Sequence, residues 1–466
     1  MDKVVKIPGV IGGREARAPA GRTAVICDLF GEPALEVAHA SRWEIAAAME
    51  RCSGAQARLR QTPLEVIVKV LARAMDHYFD EDWKFEFVAK MSGSPLTYVR
   101  RGVSSIKAWC RNLDSFTRAV FRDAPGDEAF FVYANSAPLV GILPGNSELE
   151  SLYVIAQAIL SRNAMIIRPS AVGAGAFTAY EFFRAFRLAC ASLDAKTSGV
   201  LMESFSAIST ESGREFLSHC FVDGWNYALF GSDATIRSVT REIHDNCAPR
   251  KVIGYGTGLS VSIASTSADV TSALMDSIVT NVGNDCTSTD IVYCRADVFE
   301  KTFAALRERA SRCKTGHPLD PARIGMMRPE NFDFTYGELC VKRGKREHVC
   351  IESEADEPRM HASVIALNKY ESTLEYPAPV AAIRPFADLG ELKEYIDKDL
   401  KDNEKEKNLV TSVFCDSKEE FRAILSLLRT YTAKWNVPTH LMDMNRPHQG
   451  VFLLRELIEP THIQYD

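Results

Sequence analysis

One cysteine stands out among the residues that could form a covalent bond with a substrate. Cys286 lies in the stretch GNDCTSTD, surrounded by small and polar residues. A thiol becomes a good nucleophile when its pKa is lowered, as the start of a helix can do, but the adjacent Asp285 acts in the opposite direction. The pattern places Cys286 at the start of a helix or in the loop before it. The alternative is a buried thiol without a chemical role, one of twelve cysteines in the chain.

Further polar groups follow short apolar runs that are typical of strands. In LPGNSELESLYVIA, the amide of Asn146 could donate to an oxygen that gains negative charge, or it could cap the next helix. IIRPSAVG ends a strand with Arg168 and Ser170, and LFGSDATIRSV places Gly231 and Ser232 before a helix. Arg168 could pair with a phosphate or a ribose, or it could be solvated. In open α/β sheets, ligands bind at turns of this kind.

The elements that must position these residues change type along the chain. From residue 41 to 123, apolar residues recur at three- and four-residue spacing and predict a layer of helices. From residue 129, short β-rich runs alternate with helical stretches, which predicts βαβ units and a largely parallel sheet. The alternation continues in a second α/β unit. The sequence therefore predicts an α/β protein that divides near residue 257.

Composition limits the class of protein. A chain of 466 residues exceeds one ordinary core, and shares of 46% hydrophobic and 25% charged residues are typical of globular proteins. The net charge of −6, without a basic stripe, argues against nucleic acid as a partner. Cysteines without a CxxC pair suit a reducing compartment, and no metal site is predicted. The N-terminus is too polar for a secretory signal and no window is apolar enough to span a membrane, so we expect a cytoplasmic protein.

The order of these stretches resembles the aldehyde dehydrogenase superfamily over about residues 120 to 435. The run RCKTGHPLDPARIGMM is similar to that family's lysine-x-glycine-x-proline-leucine-aspartate-proline segment. The other matching stretches, each in the family's order, are LPGNSEL, IIRPS, LFGS, KVIGYGTG, GNDCTSTDIVYC and LEYPAPVAAIRPF. The resemblance implies a Rossmann-type cofactor domain, an α/β catalytic domain and a small β arm for oligomerisation.

The resemblance also implies domain boundaries. We expect the dinucleotide-binding domain at residues 1–123 and 138–256, and the catalytic domain with its nucleophilic cysteine at residues 257–435. Residues 124–137 and 436–466 would form the oligomerisation arm and the C-terminal segment. A homodimer or homotetramer is the expected assembly.

Roles for individual residues follow from the same resemblance. Cys286 takes the position of the catalytic nucleophile, and Asn146 that of the amide that binds the oxyanion. Glu375 matches the glutamate that holds the nicotinamide ribose, and Arg168 replaces a lysine that contacts the adenosine ribose. The helix start after Gly231 and Ser232 would face the cofactor phosphates. The full set of expected cofactor-binding residues is Arg168, Ser170, Gly231, Ser232, Gly256 and Glu375.

The chain departs from the family at the general base. The family usually has a glutamate where this chain has Gly254, and no neighbour offers a carboxylate. Hydrolysis of an acyl-enzyme needs a base that activates water, whereas a thiol, with a pKa of about 8.5, is already partly ionised near neutrality. Members of the superfamily that exchange acyl groups with coenzyme A, or reduce fatty acyl thioesters, commonly lack this glutamate. The chain is therefore most similar to the acyl-CoA reductase branch.

The predicted reaction is NAD(P)H-dependent reduction of an acyl thioester to the aldehyde through an acyl-enzyme. Its partner would be acyl-CoA or an acyl carrier protein. Two alternatives stay open: NAD(P)-dependent oxidation of an aldehyde to the acid, and a non-catalytic binding or structural protein with the same fold. NADP(H) is favoured over NAD(H), because Arg168 offers a guanidinium and Ala171 carries no carboxylate that would clash with a 2′-phosphate.

Overall fold

The computed structural model describes residues 4–17, 21–121, 131–135, 137–145, 148–354, 357–369, 371–441, 443–445, 451 and 453–462. The chain forms two compact units. The first consists of Met1–Ser92, Arg100–Gly256 and Met444–Asp466, and the second of Gly93–Val99 and Thr257–Asp443. The second unit therefore includes residues 93–99, which the sequence assigned to the dinucleotide-binding domain, and extends past residue 435.

Strands that alternate with helices build most of the first unit. Apolar runs such as MIIR and NYALF form buried strands, as expected for a parallel sheet that is covered on both faces. Up to the end of this region the elements are β1 (Val5–Ile7), β2 (Gly9–Ile11), β3 (Arg14–Ala16), β4 (Thr23–Cys27), β5 (Pro33–Ala38), α1 (Arg42–Leu59), α2 (Leu64–His77), α3 (Asp82–Ser92), α4 (Leu96–Arg111), α5 (Leu113–Phe121), β6 (Phe131–Asn135), β7 (Leu139–Ile142), α6 (Glu148–Leu160), β8 (Met165–Arg168), α7 (Gly175–Cys190), α8 (Ala195–Glu203), β9 (Phe205–Ala207), α9 (Gly213–Ser218), β10 (Asn226–Phe230), α10 (Asp233–Asn246) and β11 (Lys251–Tyr255).

The main sheet of the first unit, among the described strands, has the order β11-β10-β7-β8-β9-β2-β3. Strands β7 to β11 are parallel, and β2 and β3 add antiparallel pairs at one edge. The five parallel strands follow the Rossmann order. From β7 to β9 successive strands are added on one side of β7, and β10 and β11 are added on its other side, so the strand order changes direction between β7 and β10. The carboxyl ends of those two strands lead to Asn146 and to Gly231, and the predicted parallel α/β fold is confirmed.

Helices α1 to α5 occupy the region in which apolar spacing predicts a helical layer. Helix α1 begins at a capping box, because the Glu44 N–H donates to the Ser41 hydroxyl and the Ser41 N–H donates to the Glu44 carboxylate. The strands before α1 were not predicted. They include β1, β4 and β5, which form a separate three-stranded sheet in the order β1-β5-β4.

The second unit contains an all-parallel sheet with helices between its strands. Its described elements are β12 (Val261–Ala264), α11 (Thr271–Val279), a 3-10 turn (Thr280–Gly283), β13 (Ile291–Arg295), α12 (Ala296–Arg312), α13 (Pro329–Tyr336), a π-helical turn (Gly337–Lys342), a 3-10 turn (Arg346–His348), β14 (Ile351–Glu354), β15 (Glu357–Met360), β16 (Ser363–Ala366), β17 (Val380–Phe386), α14 (Leu389–Asp402), β18 (Asn408–Phe414), α15 (Lys418–Leu425) and β19 (Thr430–Trp435). The strand order in the sheet is β16-β17-β13-β12-β18-β19, and β14 and β15 form a separate hairpin.

The chain ends with α16 (Leu453–Glu456) and β20 (Ile458–His462). Strand β20 pairs antiparallel with β6, and together they form a two-stranded ribbon. These strands come from the two segments that the resemblance assigns to an oligomerisation arm. No helix within the described residues is long and apolar enough to cross a membrane.

Candidate active site

Cys286 is half-buried and lies in a tight turn before β13. The Ser288 N–H donates to the Asp285 carbonyl over 2.8 Å and closes the turn. The peptide that follows Cys286 is held at both ends, because the Ser260 hydroxyl donates to the Cys286 carbonyl at 2.8 Å and the Thr287 N–H donates to Asp285 Oδ1 at 3.2 Å. Of the two expected settings, a helix start and a loop, the structure has the loop. Cys286 is therefore not itself a residue at the start of a helix.

The carboxylate of Asp285 is part of the hydrogen bonding of this turn. The Tyr98 hydroxyl donates to its Oδ2 at 2.6 Å, and the Thr287 N–H and hydroxyl donate to its Oδ1 at 3.2 and 3.1 Å. Hydrogen bonds of this kind stabilise an ionised carboxylate and disperse its charge. The sequence indicated only a charge that opposes ionisation of the neighbouring thiol, whereas the structure gives Asp285 a role in shaping the turn.

The backbone enters the Cys286 turn through three consecutive residues with positive φ. The angles are 47° at Asn281, 59° at Val282 and 73° at Gly283. This region is unfavourable for residues with a Cβ, above all for a β-branched valine. At Gly283 a Cβ would lie 1.9 Å from the Ala378 carbonyl oxygen, so only glycine fits. The adjacent segment at Ala378 therefore imposes a strained backbone directly before the cysteine.

Residues 93–99 belong to the second unit because they contact the loop that leads to Cys286. The Ser94 hydroxyl donates to Asn281 Oδ1 at 2.5 Å, and the Met326 N–H donates to the Gly93 carbonyl at 2.8 Å. Gly325 fits closely against the same segment, since a Cβ there would lie 2.5 Å from the Gly93 carbonyl oxygen. Gly325 and Met326 lie at the end of the run RCKTGHPLDPARIGMM. This run therefore supports the loop before Cys286 indirectly, through the segment of residues 93–99.

Ser260, directly before β12, and Asp290, directly before β13, hold each other. The Asp290 N–H donates to the Ser260 carbonyl at 2.9 Å, and the Ser260 N–H donates to Asp290 Oδ2 at 2.8 Å. Ser260 is 0% and Asp290 is 8% exposed. Burial, and then the charge of Glu375, raise the pKa of the Asp290 carboxyl well above its usual value, while the Ser260 N–H and Lys405 act against them.

Glu375, the expected ribose-binding residue, lies half-buried in the loop before β17. Its N–H donates to Asn403 Oδ1 at 2.9 Å, and its carboxylate is 3.9 Å from Lys405 Nζ. Lys405 also donates to the carbonyl and the hydroxyl of Thr257 at 3.0 and 2.7 Å. Lys405 therefore connects the start of the second unit to the loop that carries Glu375.

Four polar residues described above lie just before the amino ends of parallel strands in the second unit. Ser260 precedes β12, Asp290 precedes β13, Glu375 precedes β17 and Lys405 precedes β18. Ligands of open α/β sheets usually bind at the carboxyl ends of the strands. This rule points to the turns of the first unit, but it does not predict the cluster at the amino ends of the strands in the second unit.

A C-terminal segment supports the Cys286 turn from within the second unit. The Thr439 hydroxyl is 3.0 Å from the Thr289 hydroxyl, and His440 Nδ1 is 3.0 Å from the Ser277 hydroxyl. Lys434 fixes this segment, because its ammonium donates to the carbonyls of residues 438, 439 and 441 at 3.3, 2.6 and 2.8 Å. These contacts explain why the second unit extends past residue 435.

In the first unit, the position of the missing general base faces the start of α10. A Cβ at Gly254 would lie 2.6 Å from Ile236 Cγ2, and a Cβ at Gly256 would lie 1.9 Å from Asp233 Oδ1. Alternate residues of an extended chain point to the same side, so both glycines meet the same helical turn. The Ile236 methyl group fills the space in which a side chain at 254 would begin.

The start of α10 lies at the point where the sheet order reverses. The Thr235 N–H donates to the Ser232 hydroxyl at 3.2 Å, so Ser232 caps the helix, and the Gly231 N–H donates to the Tyr255 carbonyl at 3.3 Å. A capped helix start with glycines on either side suits a phosphate group, because backbone amides and the helix dipole attract anions. Asp233, in the first turn, is the one feature that opposes an anion there.

Arg168 ends β8 and is 8% exposed, so the solvated alternative is wrong. Its Nε donates to the Thr210 hydroxyl at 3.1 Å and its Nη2 to the Thr210 carbonyl at 3.4 Å. Burial lowers the pKa of the guanidinium, and Glu215 partly offsets this effect. Arg168 remains a cation, but part of its hydrogen-bonding capacity anchors the loop after β9.

The turns after β7 and β8 lie against each other. Ser170 Oγ accepts a hydrogen bond from the Val172 N–H at 3.2 Å, and a Cβ at Gly145 would lie 2.5 Å from Ser170 Oγ. Asn146 follows Gly145 but lies outside the described residues, so its oxyanion role stays a prediction.

Comparison with known families decides the relationship. The model of the aldehyde dehydrogenase family matches residues 16–452. The chain belongs to the aldehyde dehydrogenase family. The protein is thus an oxidoreductase of a family that acts on aldehydes. No curated protein matches the sequence.

Solved structures of aldehyde dehydrogenases share the fold. One is a salicylaldehyde dehydrogenase from Pseudomonas putida with salicylaldehyde, at 14% identity and a TM-score of 0.81, covering 98% of each chain. Another is a glyceraldehyde-3-phosphate dehydrogenase from Methanocaldococcus jannaschii with NADP, at 16% identity and a TM-score of 0.78, covering 95% of this chain and 99% of the other. A third is an NAD-dependent benzaldehyde dehydrogenase from Corynebacterium glutamicum, at 17% identity and a TM-score of 0.78, covering 98% of this chain and 96% of the other.

Several residues around the site of this member of the aldehyde dehydrogenase family could not be recognised as site residues from the sequence. Tyr98, Ser260, Asp290 and Lys405 become neighbours of the expected residues only through folding. The break GSP between α3 and α4 signals that residues 93–95 leave the helical layer, but it does not say where they go. For Asp290, a carboxylate at the start of a buried strand was a signal that could have been used.

Proposed function

We propose that the protein reduces an acyl thioester to the aldehyde with NAD(P)H, through an acyl group on Cys286. The observation that carries this proposal is the site at Gly254, where the family usually has a general base. There is no carboxylate at this position, and the Ile236 methyl group occupies the space of a side chain, 2.6 Å from the Cβ position. Hydrolysis of an acyl-enzyme would lack the base that the family usually has at this position, whereas transfer from a thiol carrier needs none.

In the proposed mechanism the Cys286 thiolate attacks the thioester carbonyl carbon. The bond to the carrier sulfur breaks, and the carrier leaves as a thiolate, which takes a proton from solvent. We assign the oxyanion to the Asn146 amide and a backbone N–H near Cys286. A nicotinamide cofactor, when bound, would supply a hydride to the acyl carbon. The oxyanion that results then collapses, the bond between this carbon and the Cys286 sulfur breaks with its electron pair staying on the sulfur, and the aldehyde leaves.

The residues of the first unit support a nicotinamide dinucleotide in the proposed site. Gly231 and Gly256 bring no side chain of their own to the start of α10, and Ser232 caps it. The family resemblance assigns to Glu375 the hydrogen bonds from the nicotinamide ribose. The solved relatives include chains with NADP and an NAD-dependent enzyme, so both cofactors occur on this fold.

We propose NADP(H) as the preferred cofactor. Arg168 is a buried cation at the end of β8, and Ala171 brings no carboxylate to the 2′-phosphate. Comparing KM for NADPH and NADH in the wild type and in Arg168→Gln tests this. The variant should lose affinity for NADPH more than for NADH, and a wild-type preference for NADH would contradict the assignment.

The decisive assay compares both directions. Acyl-CoAs of graded chain length, or the same acyl groups on a carrier protein, are supplied with NADPH, and aldehydes are supplied with NADP⁺ in the absence of coenzyme A. We expect thioester reduction, and we expect Cys286→Ala to abolish it. Formation of acid from aldehyde alone would favour the oxidative alternative, which the salicylaldehyde and benzaldehyde dehydrogenases among the relatives exemplify. Absence of nucleotide binding by calorimetry would instead indicate a non-catalytic protein.

A further inference from the structure

The contacts of Ser260 reach the nucleophile and a buried carboxyl group at the same time. Its hydroxyl donates to the Cys286 carbonyl at 2.8 Å, while its N–H and C=O are both paired with Asp290. We propose that Asp290 is a positioning residue for the nucleophile: it holds Ser260, and Ser260 holds the peptide that follows Cys286. This inference rests on the proposed role of Cys286.

Two bonds at one place make the hold specific. The paired backbone groups of Ser260 and Asp290 tie the entry of β12 to the entry of β13, and the carboxylate bond to the Ser260 N–H closes a second ring. The backbone of Ser260, from which its hydroxyl reaches Cys286, is therefore held in place. A peptide that is fixed at its carbonyl also restrains the ψ angle of the cysteine, and with it the backbone from which the thiol projects.

The charge state of Asp290 gives this hold a second effect. The charged groups that face it from other elements are Glu375, in the loop before β17, and Lys405, in the loop before β18. Burial and Glu375 raise the pKa of Asp290, so the neutral form persists to higher pH than for an exposed aspartate. Neutral Asp290 adds no negative charge to the loop of Cys286. Ionisation at higher pH adds one, which disfavours a thiolate nearby.

The test uses three variants and one matched control. Asp290→Asn keeps an oxygen that can accept from the Ser260 N–H but cannot ionise. Asp290→Ala removes the side-chain bond, and Ser260→Ala removes the hydroxyl that holds Cys286. Ser206→Ala is the control, because Ser206, in β9 of the first unit, is also 0% exposed and its hydroxyl accepts a hydrogen bond from the Gly12 N–H instead.

The first measurement is hydrogen–deuterium exchange of the peptide that covers residues 284–290. We expect exchange roughly fivefold faster in Ser260→Ala and in Asp290→Ala, the equivalent of one hydrogen bond. Asp290→Asn and Ser206→Ala should stay close to the wild type. Equal loosening in Asp290→Asn and Asp290→Ala would overturn the proposed hold, and the folded Asp290→Asn protein keeps the test valid if the alanine variant does not fold.

The second measurement is alkylation of Cys286 by iodoacetamide between pH 6 and 9, followed on its own peptide by mass spectrometry. The exposed Cys27 serves as the internal reference. Because the raised pKa makes Asp290 ionise at higher pH than an exposed aspartate, the ratio of the Asp290→Asn rate to the wild-type rate should rise with pH across the series. A ratio that does not change with pH would overturn the charge effect. Neither measurement needs a thioester, so failure of the proposed reaction would be seen separately.

Discussion

At the scale of single residues, position 254 shows how a missing side chain can be built into a fold. Gly254 is exposed, yet its Cβ position is blocked by a methyl group of Ile236, which itself is half-buried. Restoring a glutamate therefore requires two changes. The first makes the base, and the second makes the room for it.

We expect Gly254→Glu alone to lower the free energy of unfolding by about 1–3 kcal/mol, because the Ile236 methyl group must move. In Gly254→Glu/Ile236→Ala the loss should be smaller than the sum of the two single losses, as denaturant titration can measure. The double variant should also release free acid from an acyl thioester, and Ile236→Ala should not. Equal acid release by all three would contradict a steric role for Ile236.

Gly256 provides a second prediction for the same helical turn. A Cβ at this position would push Asp233 away, since the two atoms would be 1.9 Å apart. The displaced carboxylate would lie nearer to the anion site in front of α10. We expect Gly256→Ala to raise the Kd for NADPH at least fivefold, measured by fluorescence titration, and Asp233→Asn to reverse most of this loss. Gly199→Ala is the control, because no atom lies within 4 Å of its Cβ position.

How well single residues could be predicted depended on what makes them recognisable. Cys286 has a reactive side chain among small neighbours, and Glu375 belongs to a run of ordered motifs. Tyr98 carries no local signal, because its contact with Asp285 joins residues 187 positions apart. Arg168 was assigned to solvent or ligand, but the loop after β9, which supplies its partner Thr210, could not be recognised as a neighbour from the sequence.

At the scale of elements, the segment after β19 acts on the Cys286 turn through Lys434. Burial lowers the pKa of Lys434 to about 8, although Asp285 and Asp443 oppose this effect. An ammonium group donates three hydrogen bonds and a neutral amine only two, so one of its three carbonyl contacts is lost above that pH. The segment that carries Thr439 and His440 is then held less firmly.

Arginine at position 434 would stay protonated at every pH of the assay. We therefore expect the ratio of kcat in Lys434→Arg to kcat in the wild type to rise severalfold between pH 7 and 9.5. Lys434→Met should be slower than the wild type at pH 7. Lys418→Arg, at an exposed position in α15, is the matched control and should give a constant ratio. A constant ratio in Lys434→Arg would show that loss of the Lys434 ammonium does not govern kcat at high pH.

The elements themselves were predictable where burial makes a strong pattern. Strands such as β8 and β13 are apolar runs bounded by turn residues. In the helices of the first unit, apolar residues recur every three to four residues. The strands β1 to β3 have only three residues each, too few for a period to be recognised. The amino-end cluster of the second unit depends on which strands become neighbours in the sheet, which no local pattern fixes.

At the scale of the whole molecule, the ribbon of β6 and β20 is the feature with the clearest test. An isolated two-stranded ribbon is marginally stable in water, so it gains from packing against another surface. We expect deletion of residues 458–466, which removes β20, to shift the protein to a smaller assembly in light scattering after size exclusion. Deletion of residues 463–466 alone is the control. An unchanged molar mass after the longer deletion would contradict a role in assembly.

The placement of residues 93–99 in the second unit also affects how the chain can be made. During synthesis at about 5–20 residues per second, Ser94 and Tyr98 leave the ribosome long before Asn281 and Asp285, their partners. The Cys286 turn therefore cannot be completed until residues 100–256 of the first unit have been translated. A fragment that starts at Thr257 would lack these two side chains, and only a polypeptide in which residues 93–99 are joined to that fragment could restore the contacts.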